Sequence, residues 1–154
     1  MAGLASIHGF LQEAHVPYTA LPHLPAFTAR DEAAASHVPG RSWAKVVACF
    51  IDDVPVEAVV PASAFVNLRR LLELAGGHDI RLADEAELRQ LFPDCEVGAM
   101  PPFGPLYGHT VYVDAELALE SEIAFNAGTH RDAIALRWND FVKMINPIVG
   151  RIGE

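Results

Sequence analysis

Apolar residues along the chain change their spacing several times, and each change marks an element. Ile7, Phe10, Leu11 and Ala14 recur at helical spacing, predicting a helix over 6–14 that Pro17 stops. Residues 18–21 read as a short strand before Pro22. A second helix over 29–36 opens at Thr28, with Asp31 at the capping-box position, and ends before Pro39-Gly40. From 44 to 51 β-branched residues take over; Asp52-Asp53 interrupts them and 56–60 resumes the strand pattern, so the two runs predict a hairpin. Leu68, Leu71, Leu72 and Ala75 share one face of a helix expected over 63–74 and closed by Gly76-Gly77. A short strand is expected at 80–82, then a helix from the cap Asp84 through Leu91 with Glu87 three residues on. Residues 93–108, with four prolines and three glycines, read as loop. Residues 109–113, 123–126 and 133–136 are strand candidates, and 139–145 is a closing helix before Asn146-Pro147.

Helices at the start, middle and end with strands between them predict an α+β domain. The hairpin favours a mixed, largely antiparallel sheet of about six or seven strands wrapped by helices. No repeat or linker interrupts the 154 residues, so one domain over 1–154 is expected. With 51% hydrophobic and 20% charged residues the chain has ample material for a core. No apolar run approaches the roughly 18 residues that span a bilayer. Residues 1–6 lack a basic signal-peptide region, and Cys49 and Cys95 form no C-x-x-C pair, which together suggest a reduced, cytoplasmic protein.

A net charge of −9 argues against a protein that grips duplex DNA through its phosphates. A few local cations would still suffice to hold the end of a nucleic acid. Seven histidines raise a metal site, but none forms H-E-x-x-H and no Cys/His cluster has zinc spacing, so scattered surface histidines are expected and no metal ligand is assigned. Cys49 falls in an apolar strand, and Asp94 and Glu96 beside Cys95 oppose a thiolate there. Neither a nucleophile elbow nor a dinucleotide or Walker loop is present.

Three segments carry candidate chemistry. The run Gly98, Ala99, Met100, Pro101, Pro102, Phe103, Gly104 has glycines at both ends and stiff prolines between. It is either a rigid turn or a loop presenting backbone N–H and C=O groups to a ligand. Gly128, Thr129 and His130 form a turn with two hydrogen-bonding side chains, where His130 either caps the turn or serves a substrate. Lys45 opens the apolar run 46–50; lysine's readiness to snorkel favours solvent, and the alternative is an ammonium aimed into a cleft.

In order and separation these segments resemble the motif set of the YbaK and prolyl-tRNA-synthetase-associated aminoacyl-tRNA deacylases. The flanking runs Ala26-Phe27-Thr28-Ala29, His37-Val-Pro-Gly40 and Leu91-Phe-Pro-Asp94 extend the likeness over residues 4–146. The resemblance implies a YbaK-like mixed sheet wrapped by helices and a hydrolase for the ester that joins a wrong amino acid to tRNA, tRNA-Pro among the candidates; a stiff, backbone-lined pocket favours a small amino acid as the target. It implies freestanding trans-editing or an inserted synthetase domain, with the aminoacylated tRNA acceptor end as partner, a synthetase as a second, and no cofactor. Carried over, Lys45 would hold the terminal adenosine or its phosphate, Gly98–Gly104 the aminoacyl group, and Gly128, Thr129 and His130 the opposite wall, with Phe27 and Thr28 also in the substrate site and Lys45 and His130 as the catalytic residues. Water attack would be assisted by the substrate's own ribose hydroxyl. Some prolyl-tRNA editing members carry a polar residue after the lysine where this chain has Val46, and Trp43 and Phe103 are further sources of an altered pocket.

The rival from another class is a binding module that holds a tRNA end, a nucleotide or an amino acid without turnover, since fold does not dictate activity. Lys45 together with an intact glycine loop favours the enzyme. A DNA-binding regulator would need a basic helix, and Arg69-Arg70 is followed by Glu73.

Overall fold

The computed structural model describes residues 4–154, with side chains from residue 7 onward. Five helices occur among them: α1 (Leu4–Glu13), α2 (Ala29–Ala35), α3 (Leu68–Ala75), α4 (Glu85–Leu91) and α5 (Trp138–Ile145). The eight strands are β1 (Thr19–Pro22), β2 (Ala44–Ile51), β3 (Val54–Pro61), β4 (Ile80–Leu82), β5 (Thr110–Asp114), β6 (Glu122–Thr129), β7 (Asp132–Arg137) and β8 (Ile148–Gly150). They form two sheets, an antiparallel β1-β7-β6 and a mixed β4-β2-β3-β5-β8. Only β3–β5 and β5–β8 pair in parallel, so the α+β class and the largely antiparallel pairing hold. The division into two sheets and the edge strand β8 go beyond the sequence pattern.

Local signals explain the elements. Thr28 caps α2 by accepting from Asp31 N at 3.2 Å, and Asp84 and Glu87 close a reciprocal capping box on α4. The β2–β3 hairpin turns through Asp52 and Asp53, both left-handed at φ 49° and 65°, the twist a two-residue hairpin turn requires. Helix α3 begins five residues later than its apolar face suggested. Asn67 is its cap, accepting from Arg70 N at 3.0 Å, and Val66 bridges Gly153, so tertiary pairing withdraws 63–67 from the helix.

The main core lies between the sheets. Ile7 and Leu11 of α1, Phe141 and Ile145 of α5, Val59 and Val113 of the mixed sheet and Phe125 and Ile134 of the antiparallel one meet there. Phe103 sits at its centre, 5.3 Å from the Phe125 ring and 5.7 Å from Phe10; burying each such ring contributes about 2–3 kcal/mol. Helix α3 covers the far face of the mixed sheet through Leu71, and α4 packs against Ala48 and Met100. The sheets meet at a parallel bridge between Trp43 and Ala124, past which β2 and β6 run side by side. No described helix is long and apolar enough to cross a membrane.

Candidate functional site

A cleft of about 530 Å³ opens at this seam. The parallel bridge at Trp43–Ala124 brings Lys45 and Asn126, each two residues further on, to the same level of neighbouring strands, and both line the cleft. Phe27, Thr28, Arg30 and Glu32 reach it from α2 and the loop before it, Phe65 from the loop after β3, and Gly98 and Met100 from the loop before η2, a 3-10 turn at Gly104–Leu106.

Lys45 does not snorkel freely to solvent. It is half-buried, its Nζ donates to Ala64 O at 2.5 Å, and the ammonium lies 5.1 Å from the centre of the Phe65 ring. Burial lowers its pKa from the ordinary lysine value. Two aromatic rings, Phe27 and Phe65, are 74% and 72% exposed on the same cleft. Exposed rings beside a cation offer flat apolar faces to a planar ligand.

The glycine loop divides into two parts with different surroundings. Gly98 and Met100 face the cleft, and Gly98 N–H is directed at the weak acceptor Met100 Sδ, 3.3 Å away. Gly98 holds φ +88°, and a Cβ there would stand 3.4 Å from His130 Cε1, so both backbone and space favour glycine. Ala99, Pro101, Pro102, Phe103 and Gly104 are buried behind this lip. A Cβ on Gly104 would come within 2.2 Å of His109 O, so this glycine serves close packing. The loop is pinned to β6 by Glu96 N to Gly128 O at 2.8 Å and Gly128 N to Ala99 O at 3.0 Å. Gly128 therefore holds the loop from behind. Thr129 Oγ1 donates to Asp132 Oδ2 at 2.6 Å, across the β6–β7 turn.

His130 lies just outside the cleft lining, 8% exposed, with both ring nitrogens engaged. Nε2 donates to Val97 O at 2.8 Å, because a carbonyl can only accept. Nδ1 stands 3.1 Å from Glu32 Oε2, and a single proton serves that contact. The Phe27 ring rests 4.9 Å from the imidazole, and Ala26 N donates to His130 O at 3.2 Å, so the Phe27 loop is tied to the same turn.

Arg30, Phe65, Glu32 and Asn126 line the cleft and escaped the sequence reading. Glu32 is 1% exposed and Asn126 6% exposed, at the floor of the cleft. Burial raises the Glu32 pKa, partly offset by hydrogen bonds from Asn126 and His130. Asn126 Oδ1 and Trp43 Nε1 are buried without a hydrogen-bond partner. An acid inside the alanine-rich stretch of α2 was the one sequence signal for Glu32; Asn126 in an apolar strand was the other. Nor are the histidines all on the surface: the His109 side chain, 6% exposed, pairs with the fully buried Glu57 at 3.1 Å. Among the described residues no three His, Cys, Asp or Glu side chains group as metal ligands would.

The sequence profile of the aminoacyl-tRNA editing domain matches residues 23–144. A search of curated protein sequences finds no significant match. Among solved structures, the hypothetical protein APE2540 superposes with a TM-score of 0.86 at 20% identity, over 96% of this chain and 99% of that one. A proposed trans-editing enzyme for prolyl-tRNA synthetase gives 0.83 at 22% identity, over 98% and 96%. A proposed signal transduction protein from Marinobacter aquaeolei VT8 gives 0.73 at 16% identity, where the match spans 97% of this chain and 30% of that one. At these identities the structures speak for the fold alone, and the profile speaks for the family. With its motif residues gathered around one cleft and the profile matched over most of its length, the chain belongs to the aminoacyl-tRNA editing domain family.

Proposed function

We propose that the protein is a trans-editing deacylase that hydrolyses the ester of a mischarged tRNA carrying a small amino acid, with tRNA-Pro among the candidate tRNAs. The observation that carries this reading is the half-buried Lys45 ammonium held at the cleft beside Phe65, with the Gly98–Met100 backbone in the same lining. Lys45 and exposed Arg30 meet the phosphates of the acceptor end, and Phe27 and Phe65 offer faces to its bases. The Gly98 N–H, which has only a thioether for company, lies against the ester carbonyl. The oxygen of a water forms a bond to the carbonyl carbon, and the bond from that carbon to the ribose oxygen breaks. The water's proton passes through the vicinal ribose hydroxyl to the departing oxygen, giving free amino acid and uncharged tRNA. His130 acts as a positioning residue, holding Val97 and hence Gly98. Pro101, Pro102, Phe103 and Gly104 anchor the loop from the core, and Gly128 and Thr129 brace its other side. One domain over 1–154 suffices for this activity, with the acceptor end as partner. The reading rests on no cofactor or metal.

Stiff walls that admit only small side chains supply the second sieve that a synthetase needs, because one methylene is worth only about 1–3 kcal/mol in a binding pocket. The test is release of labelled amino acid from alanyl-, cysteinyl- and seryl-tRNA species by the wild type and by Lys45→Ala. Release from one species, falling by about two orders of magnitude in a folded Lys45→Ala protein, is the expected result. Unchanged release by that variant would remove the lysine from the mechanism. The second reading, a module that binds the tRNA end without turnover, is favoured by the appearance of this fold as 30% of a proposed signal transduction protein. It predicts binding without release.

A further inference from the structure

The wall of the cleft that meets Lys45 is held from behind by a segment outside the proposed chemistry. Ala64 O accepts from Lys45 Nζ and the Phe65 ring lies 5.1 Å from it, so residues 64 and 65 set the surroundings of the ammonium. Phe65 is 72% exposed, so packing of its ring does not fix it. Its backbone is fixed instead. Phe65 N donates to Glu154 O and Glu154 N donates to Phe65 O, both at 2.8 Å. Asn67 N donates to Ile152 O at 2.7 Å, and Val66 bridges Gly153 between them. Residues 152–154 thus lie as a strap along 65–67.

The strap has two anchors of its own. Ile152 is fully buried in the cluster beneath α3 with Leu71 and Val60. Asp114, at the end of β5 and 4% exposed, accepts from Ile152 N at 3.0 Å and Gly153 N at 2.9 Å through one carboxylate oxygen. Hydrogen bonds from backbone N–H groups to an ionised carboxylate are roughly twice as strong as neutral ones. A Cβ on Gly153 would stand 3.2 Å from Asp114 Cγ, so glycine lets the strap lie close against the acid. Residues 152–154 lie beyond the stretch 23–144 that the family profile matches.

We propose that Asp114 is a positioning residue for the Lys45 anchor: by clamping the 152–154 strap it fixes Ala64 O and the Phe65 ring around the ammonium that meets the tRNA end. The inference rests on the deacylase reading and deepens it. Without the carboxylate two N–H groups lose their acceptor, the strap loosens from 65–67, and the wall beside Lys45 opens to water. A binding site is only as exact as the shell that supports it, and a displacement of about 1 Å can cost about a hundredfold in rate.

The chain has two lysines, Lys45 and Lys143, so NMR of protein carrying isotope-labelled lysine follows each Nζ through its titration. In the wild type burial holds the Lys45 midpoint below the ordinary lysine value. Asp114→Ala is expected to move that midpoint upward, with the Lys143 signal unmoved as internal control. On the alanyl-, cysteinyl- and seryl-tRNA panel it is expected to lower kcat/KM by about tenfold or more. Asp114→Asn, which keeps an acceptor oxygen, should fall between the two. Glu154→Pro, which removes the donor to Phe65 O and leaves Asp114 intact, should repeat the shift in part. Thermal melting checks that each variant is folded; if Asp114→Ala is not, the other two decide. A merely structural role would lower the melting temperature and leave the Lys45 midpoint in place. That result, or an upward shift with unaltered kcat/KM, overturns the positioning role alone. No release by the wild type from any of the tRNA species overturns it together with the deacylase reading.

Discussion

His130 Nδ1 stands 3.1 Å from Glu32 Oε2, joining residues 98 positions apart in the chain, and neither side chain is more than 10% exposed. Because the other ring nitrogen donates to Val97 O, this imidazole couples helix α2 to the lip of the glycine loop. Its place in the mechanism follows from what it holds.

Replacing it should loosen both neighbours at once. His130→Ala is expected to lose about 2 kcal/mol of stability, read by urea denaturation, because Val97 O and Glu32 lose a buried partner. Deacylation should fall further than stability, since Gly98 loses its support; an active variant with unaltered kcat/KM would separate the ring from the loop.

The two glycines that bound the loop should answer differently to alanine. Gly104→Ala puts a methyl 2.2 Å from His109 O and 2.5 Å from Val111 Cγ2, and is expected to cost about 3 kcal/mol or prevent folding. Gly98→Ala meets only a 3.4 Å contact and a strained φ, at about 1 kcal/mol, yet it alters the surface facing the ester. Thermal melts beside deacylation rates should show the first losing stability and the second losing chiefly activity.

Glu57 should make stability depend on pH. Burial is the main cause lifting its carboxyl to about 7, against the lowering effect of the His109 hydrogen bond and charge. A folded pKa above the unfolded value means that the native state holds the proton more firmly. This contribution is complete below about pH 4.5 and is lost as pH rises toward 7. The loss amounts to about 3 kcal/mol on the scale of 1.36 kcal/mol per unit. Urea midpoints across that range should fall for the wild type and stay flatter for Glu57→Gln; parallel curves would remove Glu57 as the cause.

The hairpin turn leaves room for improvement. Asp53 adopts φ 65° without a Gly's freedom, and Asp52 is the residue whose carboxylate accepts from His78 N and Asp79 N. Asp53→Gly is therefore expected to gain about 0.5–1 kcal/mol and Asp52→Gly to lose stability, measured by thermal denaturation of the two variants.

Features governed by neighbours in sequence were legible before the fold was known. The caps at Thr28 and Asp84, the aspartate turn of the β2–β3 hairpin and the stop at Gly76 depend on dihedrals and hydrogen bonds that span a few residues. The α+β class follows from those elements, and the ordered motifs around Lys45, Gly98 and Gly128 were enough to mark the family. Helix α3 shows where local reasoning ended: the apolar spacing suited an earlier start, and the pairing of Val66 with Gly153 at the far end of the chain overruled it.

Tertiary structure alone decided the use of each motif residue. Within one seven-residue loop, Gly98 and Met100 came to the cleft while Phe103 became the centre of the core, because the loop crosses from the seam of two sheets into the space between them. The residues alone favoured solvent for Lys45, and only the fold brings Ala64 O and the Phe65 ring to its ammonium. Glu32 and Asn126 carried no motif at all. They line one cleft because the Trp43–Ala124 bridge and the packing of α2 bring two distant segments to the same place, where both side chains are withdrawn from water.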